Sequence, residues 1–353
     1  MTSGALDWIP AEVDQRAVRE AAYWEPYKGR VRCTLCPHNC VISEGKAGIC
    51  TIRAVHEGRL YTLVWGTPAA INLDPIEKKP LFHFHPTSRV LSFGSVGCNF
   101  KCLHCQNHSI SQHRPGDRET AFVPPEEVPA MLRKSGAKGV AYTYNEPSIW
   151  FEYILACYQR VKAAGGYTTM VSNGYINAAP LAELAPVLDA ANYDVKAGTL
   201  DFYKKVSKGR LDPVLQTVER AVDLGIYVEL TYLIIPTHND DPKEFTQTAQ
   251  WVLDKLGPDV PLHFSAFHPD YQMQDIPPTP PTTVVAACDA AKEVGLHYVY
   301  GGNVDHGEYE NTRCPRCNTL LIERHWFDTT VRKLDLGKGQ CGSCGLTIPG
   351  IWR

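Results

Sequence analysis

Short runs of apolar, β-branched and aromatic residues recur through the middle of the chain. Each run is followed by a polar loop and then by a stretch whose apolar positions have helical spacing. Strands that alternate with helices in this way indicate a parallel sheet with crossover helices, and therefore an α/β fold. The predicted strands are Arg89–Gly94, Gly139–Tyr144, Tyr167–Ser172, Ala191–Val195, Ile226–Ile235, Leu262–Phe267 and His297–Tyr300.

Polar residues cluster where the predicted strands end. In a (β/α) barrel, the loops that follow the strands share one face and surround one mouth. A helix cap would explain any one of these loops alone, but six of them together predict a shared site. The loops hold the cysteines at 98–105, Asn145-Glu146, Ser172-Asn173, Asp194-Val195-Lys196, residues 236–241 and residues 268–271.

Composition places the chain among ordinary globular proteins. Of its 353 residues 44% are hydrophobic, and 35 basic against 38 acidic side chains leave a formal net charge of −3. This balance provides no overall attraction for nucleic acid, so we do not expect a nucleic-acid partner. We find no signal-peptide pattern and no run of about 18 apolar residues that would cross a bilayer. The expected location is the cytoplasm, without membrane attachment.

Cysteine is the residue type that carries the most information here. The chain has 13 cysteines, and in a reducing cytosol tight cysteine groups usually hold metals rather than form disulfides. Cys157 and Cys288 lie alone in apolar, helix-like stretches and are interpreted as buried thiols. The three groups are Cys33, Cys36, Cys40 and Cys50; Cys98, Cys102 and Cys105; and Cys314, Cys317, Cys341 and Cys344.

The last group consists of the pairs CPRC at 314–317 and CGSC at 341–344. Two such knuckles turned toward one tetrahedral ion are typical of a structural zinc site. A zinc ribbon that binds nucleic acid is the alternative. The segment between the pairs alternates like a short hairpin without concentrated positive charge, which favours structural support.

The middle group supplies three thiolates from one loop and no fourth nearby. A structural site closes its coordination sphere, whereas a site that performs chemistry keeps a position open. A [4Fe–4S] cluster with three protein ligands would leave one iron free for another ligand. The alternative is a zinc ion completed by His104 or His108.

An open iron needs a chelating ligand, and the neighbouring polar residues suit a charged amino acid that bears a nucleoside. Glu146 can accept hydrogen bonds from an ammonium group, and Lys196 can pair with a carboxylate. Ser172-Asn173 can bond ribose hydroxyls, and His268 can pack on a purine. Two alternatives stay open, in which Glu146 caps a helix and Lys196 pairs only with Asp194.

The first group has enough thiolates to close a tetrahedral site by itself. Zinc or a second iron–sulfur cluster would satisfy it equally well. A closed coordination sphere leaves no place for substrate, which favours a structural metal. An electron-relay cluster remains the open alternative.

These motifs resemble those of the radical SAM (S-adenosylmethionine) superfamily. More narrowly, the chain resembles the AmmeMemoRadiSam system radical SAM enzymes, which are related to pyruvate formate-lyase activating enzymes. The resemblance covers nearly the whole chain. It is carried by CNFKCLHC at 98–105, YNEPS at 144–148, VSNGYI at 171–176, DVKAG at 194–198, IIPTHNDD at 234–241, FHPDY at 267–271, DPIEKKPLFHFHP at 74–86 and the two outer cysteine groups.

The resemblance implies a partial (β/α)6, TIM-like barrel at 85–305. An N-terminal cysteine-rich module would occupy 1–84, and a zinc-ribbon-like module 306–353. It further implies a [4Fe–4S] cluster on Cys98, Cys102 and Cys105, with SAM chelating the unique iron. The implied contacts to SAM are Asn145, Glu146 and Pro147 near the methionine amino group, Ser172 and Asn173 near the ribose, and Asp194 and Lys196 near the carboxylate.

The implied activity is reductive cleavage of SAM to a 5′-deoxyadenosyl radical, which abstracts hydrogen from an unidentified substrate. This activity would need an electron donor such as flavodoxin or ferredoxin. It would also involve a protein substrate or a system partner. Three positions depart from the pattern: His104 stands where an aromatic ring is common, Val171 where activating enzymes have an acid, and Thr231 where they have an arginine.

Two alternative functions stay open. One is an enzyme that installs a glycyl radical on a protein, and the other is a catalytically silent, metal-stabilised binding protein. No catalytic side chain is assigned.

Overall fold

The N-terminal cysteine-rich segment forms two small antiparallel sheets, with Cys33 at the end of a strand and the other three cysteines in loops. The computed structural model describes residues 9–305 and 307–353. The sheets have the strand orders β1-β6-β5 and β2-β3-β4, and Val31 and Leu60 pack into one core with Phe93 of the large sheet described next. The strands are β1 (Arg19–Glu20), β2 (Trp24–Tyr27), β3 (Arg30–Cys33), β4 (Val41–Ile42), β5 (Arg53–His56) and β6 (Arg59–Thr62).

The apolar runs in the middle of the chain form one mixed sheet of eight strands. The strands are β7 (Ala70–Pro75), β8 (Arg89–Gly94), β9 (Gly139–Tyr142), β10 (Tyr167–Ser172), β11 (Ala190–Asp194), β12 (Tyr227–Ile234), β13 (Leu262–Ala266) and β14 (Val299–Gly302). They pair in chain order, with β7 antiparallel to β8 and all later neighbours parallel. All seven predicted strands are confirmed to within two residues at each end.

The sheet has β7 and β14 at its two edges, so the strand pairing within the described residues is open. The sequence pattern did not predict β7. This strand is half exposed, reads AINLDP and ends in proline, and therefore lacks the continuous apolar run of the buried strands. It lies before residue 85 but pairs along its whole length with β8.

Crossover helices connect the parallel strands. One of these helices begins at Pro242, and the Asp241 carboxylate accepts a hydrogen bond from the backbone N–H of Lys243. The helices are α1 (His108–Ser111), α2 (Val128–Ser135), α3 (Phe151–Ala163), α4 (Ala178–Leu184), α5 (Leu200–Phe202), α6 (Leu211–Asp223), α7 (Pro242–Leu256) and α8 (Pro281–Val294). Short 3₁₀ or π-helical segments cover Gln15–Ala17, Ile76–Lys78, Pro147–Trp150, Ala185–Val187, Tyr203–Ser207 and Gly307–Tyr309. Within the described residues, no helix is both long and apolar enough to span a bilayer.

The C-terminal residues form short antiparallel strands, with the predicted hairpin between the two cysteine pairs. Their apolar side chains pack with Phe82, Tyr298 and Tyr300, so this part of the chain covers the β14 edge. The strands are β15 (Thr312–Arg313), β16 (Leu320–His325), β17 (Asp328–Val331), β18 (Leu334–Asp335) and β19 (Gln340–Cys341).

A buried polar network fastens this C-terminal part to the sheet. The Glu229 carboxylate accepts hydrogen bonds from the backbone N–H groups of Phe82 (3.0 Å) and His83 (2.7 Å) and contacts His263 Nε2 (2.7 Å). Arg324 donates to the carbonyl oxygen of Phe82 at 2.7 Å. Strand β12, the segment after β7 and the hairpin strand β16 are therefore held by one set of bonds.

The His83 ring is held in its neutral form. Its Nδ1 lies 2.8 Å from the carbonyl oxygen of Pro349, and its Nε2 lies 2.5 Å from the hydroxyl of Tyr300. A carbonyl can only accept, so Nδ1 donates and Nε2 accepts from Tyr300. Burial lowers the pKa of His83 to about 4, although the Glu229 charge opposes the change.

We predict that His83 makes the fold sensitive to acid. Unfolded chains bind a proton at His83 below about pH 6.5, whereas the folded protein does not until about pH 4. The contribution of His83 to the free energy of unfolding is thus fully present above about pH 6.5. It falls as the pH is lowered from there to about 4, by at most about 1.4 kcal/mol per pH unit. Urea unfolding at several pH values should show that the free energy of unfolding depends less steeply on pH in His83→Gln than in the wild type. The control His297→Gln, at a half-exposed ring, should keep the wild-type slope; equal slopes in all three proteins would refute the assignment.

Candidate active site

The loop after β8 brings Cys98, Cys102 and Cys105 to one cavity of about 170 Å³. The first two are buried and the third is partly exposed. Around this cavity, no three Cys, His, Asp or Glu ligand atoms of the described residues lie within 4.8 Å of one another. A tetrahedral zinc ion with bonds of about 2.3 Å would bring its sulfurs to about 3.8 Å. The wider spacing suits a cluster whose irons each take one thiolate, and it does not support the zinc alternative with His104 or His108.

The cysteine loop owes its shape to contacts on both sides. Gly97 has a φ of 80°, and a Cβ added to it would lie 2.4 Å from the carbonyl oxygen of Cys50. The Asn99 side chain donates to the carbonyl of Tyr175 at 3.0 Å and accepts from Asn173 Nδ2 at 2.8 Å. The loop is therefore wedged between the N-terminal sheets and the end of β10.

His104 presents an unsatisfied polar atom in this region. The residue lines the cavity and is only 4% exposed, and its Nδ1 has no hydrogen-bond partner among the residues that the structure describes. Burial, with the nearby Lys196 charge, lowers the pKa of His104 to about 3. A neutral imidazole nitrogen beside the cysteines fits a cavity that receives a ligand with polar groups.

Four of the predicted polar residues line the same cavity as the cysteines: Asn145, Asn173, Asp194 and Lys196. Lys196 Nζ lies 2.9 Å from Asp194 Oδ2, and the lysine side chain is 15% exposed. Burial disfavours the ammonium form, yet the Asp194 and Cys102 charges outweigh burial and raise the pKa of Lys196. A fixed positive charge thus stands beside the thiols, which need such a charge as they ionise on binding metal. Burial raises the pKa of Cys102 to about 11.

Glu146 points away from the cavity and ties two loops together. It is fully buried, and its Oε1 accepts from the Ser148 N–H and the Ser172 hydroxyl, each at 2.8 Å. Its Oε2 accepts from the Asn173 N–H at 2.7 Å. Glu146 and Ser172 therefore hold the shape of the wall that Asn173 presents. Burial raises the pKa of Glu146, and the three hydrogen bonds oppose the change.

The predicted contact His268 is not brought to the cavity. Its side chain is exposed, and it is absent from the described residues that line this cavity or the larger neighbouring one. Another ring pair lies near the cysteine loop, where His108 stacks on Tyr271 with ring centroids 4.8 Å apart.

A second cavity, of about 480 Å³, adjoins the first and shares lining residues with it. Tyr144 is one of these, and its hydroxyl donates to Asp74 Oδ2 at 2.7 Å; the buried Lys79 binds the same oxygen at 2.7 Å. Trp326 and Phe327 from the C-terminal hairpin complete the rim and are 43% and 47% exposed. Sequence reasoning assigned no role to Asp74, Lys79, Trp326 or Phe327. Asp74 and Lys79 belong to the 74–86 motif, which by itself indicates no function for them. No local signal distinguishes Trp326 and Phe327 from ordinary hairpin residues.

The four C-terminal cysteines come together as predicted. Their sulfurs all lie within 4.8 Å of one another, with 3.5 Å between Cys314 and Cys344 and 3.7 Å between Cys317 and Cys341. This spacing can hold one metal ion. The N-terminal cysteines line a different cavity, on the other side of residue 99.

We predict that Glu146→Gln destabilises the fold by about 1–3 kcal/mol, because it leaves a buried donor unsatisfied. Each carboxylate oxygen receives a backbone N–H, so the glutamine NH₂ must face a donor in either orientation. Urea unfolding would measure the loss against Glu293→Gln, at an exposed residue of α8. Equal stabilities would mean that Glu146 does not hold the two loops.

Cys341→Ser should remove one bound metal ion per chain and lower the melting temperature, because a four-thiolate site loses a ligand. Elemental analysis of the purified protein and a thermal melt would measure both effects. Ser343→Ala, at an exposed position inside the same pair, is the matched control and should change neither. Unaltered metal content in Cys341→Ser would contradict a metal at this site.

Comparison with known proteins connects this geometry to a family. The sequence profile of the Radical SAM superfamily matches residues 93–252, which include the cysteine loop and run into α7. An uncharacterized protein of Methanocaldococcus jannaschii is 45% identical over 332 residues, 94% of this chain and 99% of that protein. The (2S)-3-sulfopropanediol dehydratase activating enzyme of Klebsiella oxytoca is 25% identical over 119 residues, 34% of this chain and 38% of that enzyme. The pyruvate formate-lyase-activating enzyme of Listeria monocytogenes is 24% identical over 165 residues, 44% of this chain and 66% of that enzyme. By this profile match, residues 93–252 of the chain form a radical SAM domain.

Proposed function

We propose that the chain is a radical SAM enzyme whose cluster is held by Cys98, Cys102 and Cys105. The observation that carries the proposal is that these three thiols of one loop line one cavity, whose described lining contains no fourth cysteine. The family implies a [4Fe–4S] cluster and SAM, and three thiolates leave the fourth iron free for a second ligand. The unpartnered Nδ1 of His104 and the polar wall of the cavity support a ligand beside the cluster.

When bound and reduced by one electron, the cluster with SAM supplies a 5′-deoxyadenosyl radical for hydrogen abstraction. The protein orients the bound cofactor and excludes water from the cavity. Lys196 places an ammonium group where a carboxylate ligand is stabilised, and Asn173 and Asn145 offer amides to hydroxyl and amino groups. Phe100 and Leu233 line the same cavity with apolar surface.

In this proposal Glu146 takes the helix-cap role that the sequence left open as an alternative, because it accepts from the Ser148 N–H at the start of Pro147–Trp150. Ser172 takes a positioning role instead of a ribose contact. The polar atoms of the two side chains bind each other and the backbone of the Asn173 loop, so we assign them to positioning that loop. An adenine contact by His268 stays a prediction, as do the membership of the AmmeMemoRadiSam group, the partial barrel, the module bounds and the cytoplasmic location.

The larger cavity is the proposed substrate site, because it adjoins the cysteine cavity and has the size of pockets that hold small molecules. Val171 and Thr231 both line it. These are the positions at which the chain departs from the pattern of activating enzymes, so a substrate other than a glycyl-radical protein is the first candidate. An electron donor such as flavodoxin or ferredoxin would reduce the cluster.

Glycyl-radical installation is the second candidate. Two activating enzymes are similar to this chain, and the exposed rings of Trp326 and Phe327 at the cavity rim offer apolar contact to a protein partner.

For the C-terminal cysteines we propose zinc in a structural role, since their short sulfur separations match a tetrahedral ion.

We expect the anaerobically reconstituted and reduced protein to form 5′-deoxyadenosine from SAM, and Cys102→Ala to form none. The variant should also lose about four irons, because the cluster loses one of its three protein ligands. Chromatographic assay of 5′-deoxyadenosine and iron analysis measure the two results. Cys157→Ala, at a buried thiol remote from the cavity lining, is the control. If the wild type holds a reducible cluster yet forms no 5′-deoxyadenosine, the binding-protein alternative replaces the catalytic one.

A further inference from the structure

The four N-terminal cysteines surround one small apolar cavity of about 20 Å³. That volume exceeds the ~10–15 Å³ that one water molecule needs. Cys33 ends β3, Cys36 and Cys40 lie in the loop between β3 and β4, and Cys50 lies in the loop before β5. Three of the four side chains are buried, so the cavity is an enclosed site that offers sulfur ligands.

The spacing of these sulfurs argues against a single metal ion. Among the described residues, no three of the N-terminal sulfurs lie within 4.8 Å of one another, whereas all four C-terminal sulfurs do. One chain thus contains two groups of four cysteines with different spacings. Four thiolates on one zinc ion approach to about 3.8 Å and leave no cavity between them. Four thiolates on a cubane each bind a different iron and stand farther apart.

The surroundings favour an anionic group. Arg53 is 1% exposed, and its Nη1 donates to Cys33 Sγ at 3.4 Å. Its Nη2 pairs with Glu152 at 2.6 Å, which fixes the guanidinium in place. Buried thiolates are costly unless they face positive charge, and the guanidinium supplies that charge beside Cys33. Hydrogen bonds to ligand sulfurs also tune the reduction potential of such clusters.

The N-terminal cavity is one layer of residues away from the active-site cysteines. Asn99 lines it, while the Asn99 side chain binds Asn173 of the active-site wall. Gly97, which precedes Cys98, is packed on the Cys50 carbonyl. Cys36 also lies in one hydrophobic cluster with Cys98, Cys102, Phe100 and Tyr175.

We propose that Cys33, Cys36, Cys40 and Cys50 hold a second [4Fe–4S] cluster, which relays single electrons from a low-potential carrier protein to the active site. In each event the carrier is oxidised by one electron, the N-terminal cluster accepts that electron and passes it on, and the cluster returns to its starting state. The destination of the electron rests on the proposed function, but the identity of the metal does not.

The metal is tested in a protein that lacks the active-site cysteines. Cys98→Ala/Cys102→Ala/Cys105→Ala, reconstituted without oxygen from iron and sulfide, should bind about four irons and give an electron paramagnetic resonance signal when reduced. Zinc in place of iron, or no iron in a protein whose circular dichroism and C-terminal metal are unchanged, would overturn the proposal.

A milder variant covers the case in which the triple variant does not fold. Cys40→Ser changes the one partly exposed thiol of the four in the otherwise intact protein. It should leave the active-site cluster in place and convert the N-terminal one to a three-iron cluster, visible in the oxidised state, or lose it. Iron content and spectra equal to the wild type would refute the ligand assignment. Cys288→Ala, at a buried thiol of α8, is the matched control.

The relay is tested by the rate at which the remaining cluster is reduced. With reduced flavodoxin as donor, Cys40→Ser should lose the fast phase of reduction seen in the wild type, while dithionite should reduce both proteins alike. The same fast phase in both would overturn the relay. A wild type that forms no 5′-deoxyadenosine, combined with four irons in the triple variant, would refute the proposed function and leave the second cluster standing.

Discussion

The close packing of residues 97–99 against the N-terminal sheets is the contact on which both iron–sulfur proposals depend. Gly97 lies so near the Cys50 carbonyl that no side chain fits there, and Asn99 bridges the N-terminal cavity and Asn173. A protein interior is close-packed and transmits such contacts rigidly. One backbone segment therefore positions the active-site thiols and couples them to the first cysteine group.

Charge is balanced separately at each of these two cysteine sites. Thiolates taken out of water need nearby cations or donors. Lys196 stands beside Cys102 and is held by Asp194, while Arg53 stands beside Cys33 and is held by Glu152. In each case the pairing carboxylate holds the cation beside the cysteine. The C-terminal group has a different environment, with one exposed cysteine, and its four sulfurs are already close.

The larger cavity is assembled from parts that are distant in the sequence. Lys79 comes from the segment after β7, His263 from β13, and Trp326 and Phe327 from the C-terminal hairpin. The hairpin is held there by Arg324 and by the packing of its apolar side chains on Phe82 and Tyr300. The C-terminal hairpin thus supplies part of the rim of the proposed substrate site, while the loop after β8 supplies the three cysteines.

The sequence by itself determined the parallel strands, the cysteine groups and the loops at strand ends, because period, ligand spacing and turn residues are local signals. It also predicts that Cys98, Cys102 and Cys105 leave a coordination position open. Only the tertiary structure decided that β7 joins the sheet, that Glu146 turns inward and His268 outward, and that the two groups of four cysteines differ in spacing. These features depend on contacts between residues far apart in the chain, such as Glu229 with His83 or Arg53 with Glu152. No local pattern encodes such distances, so the folded chain had to supply them.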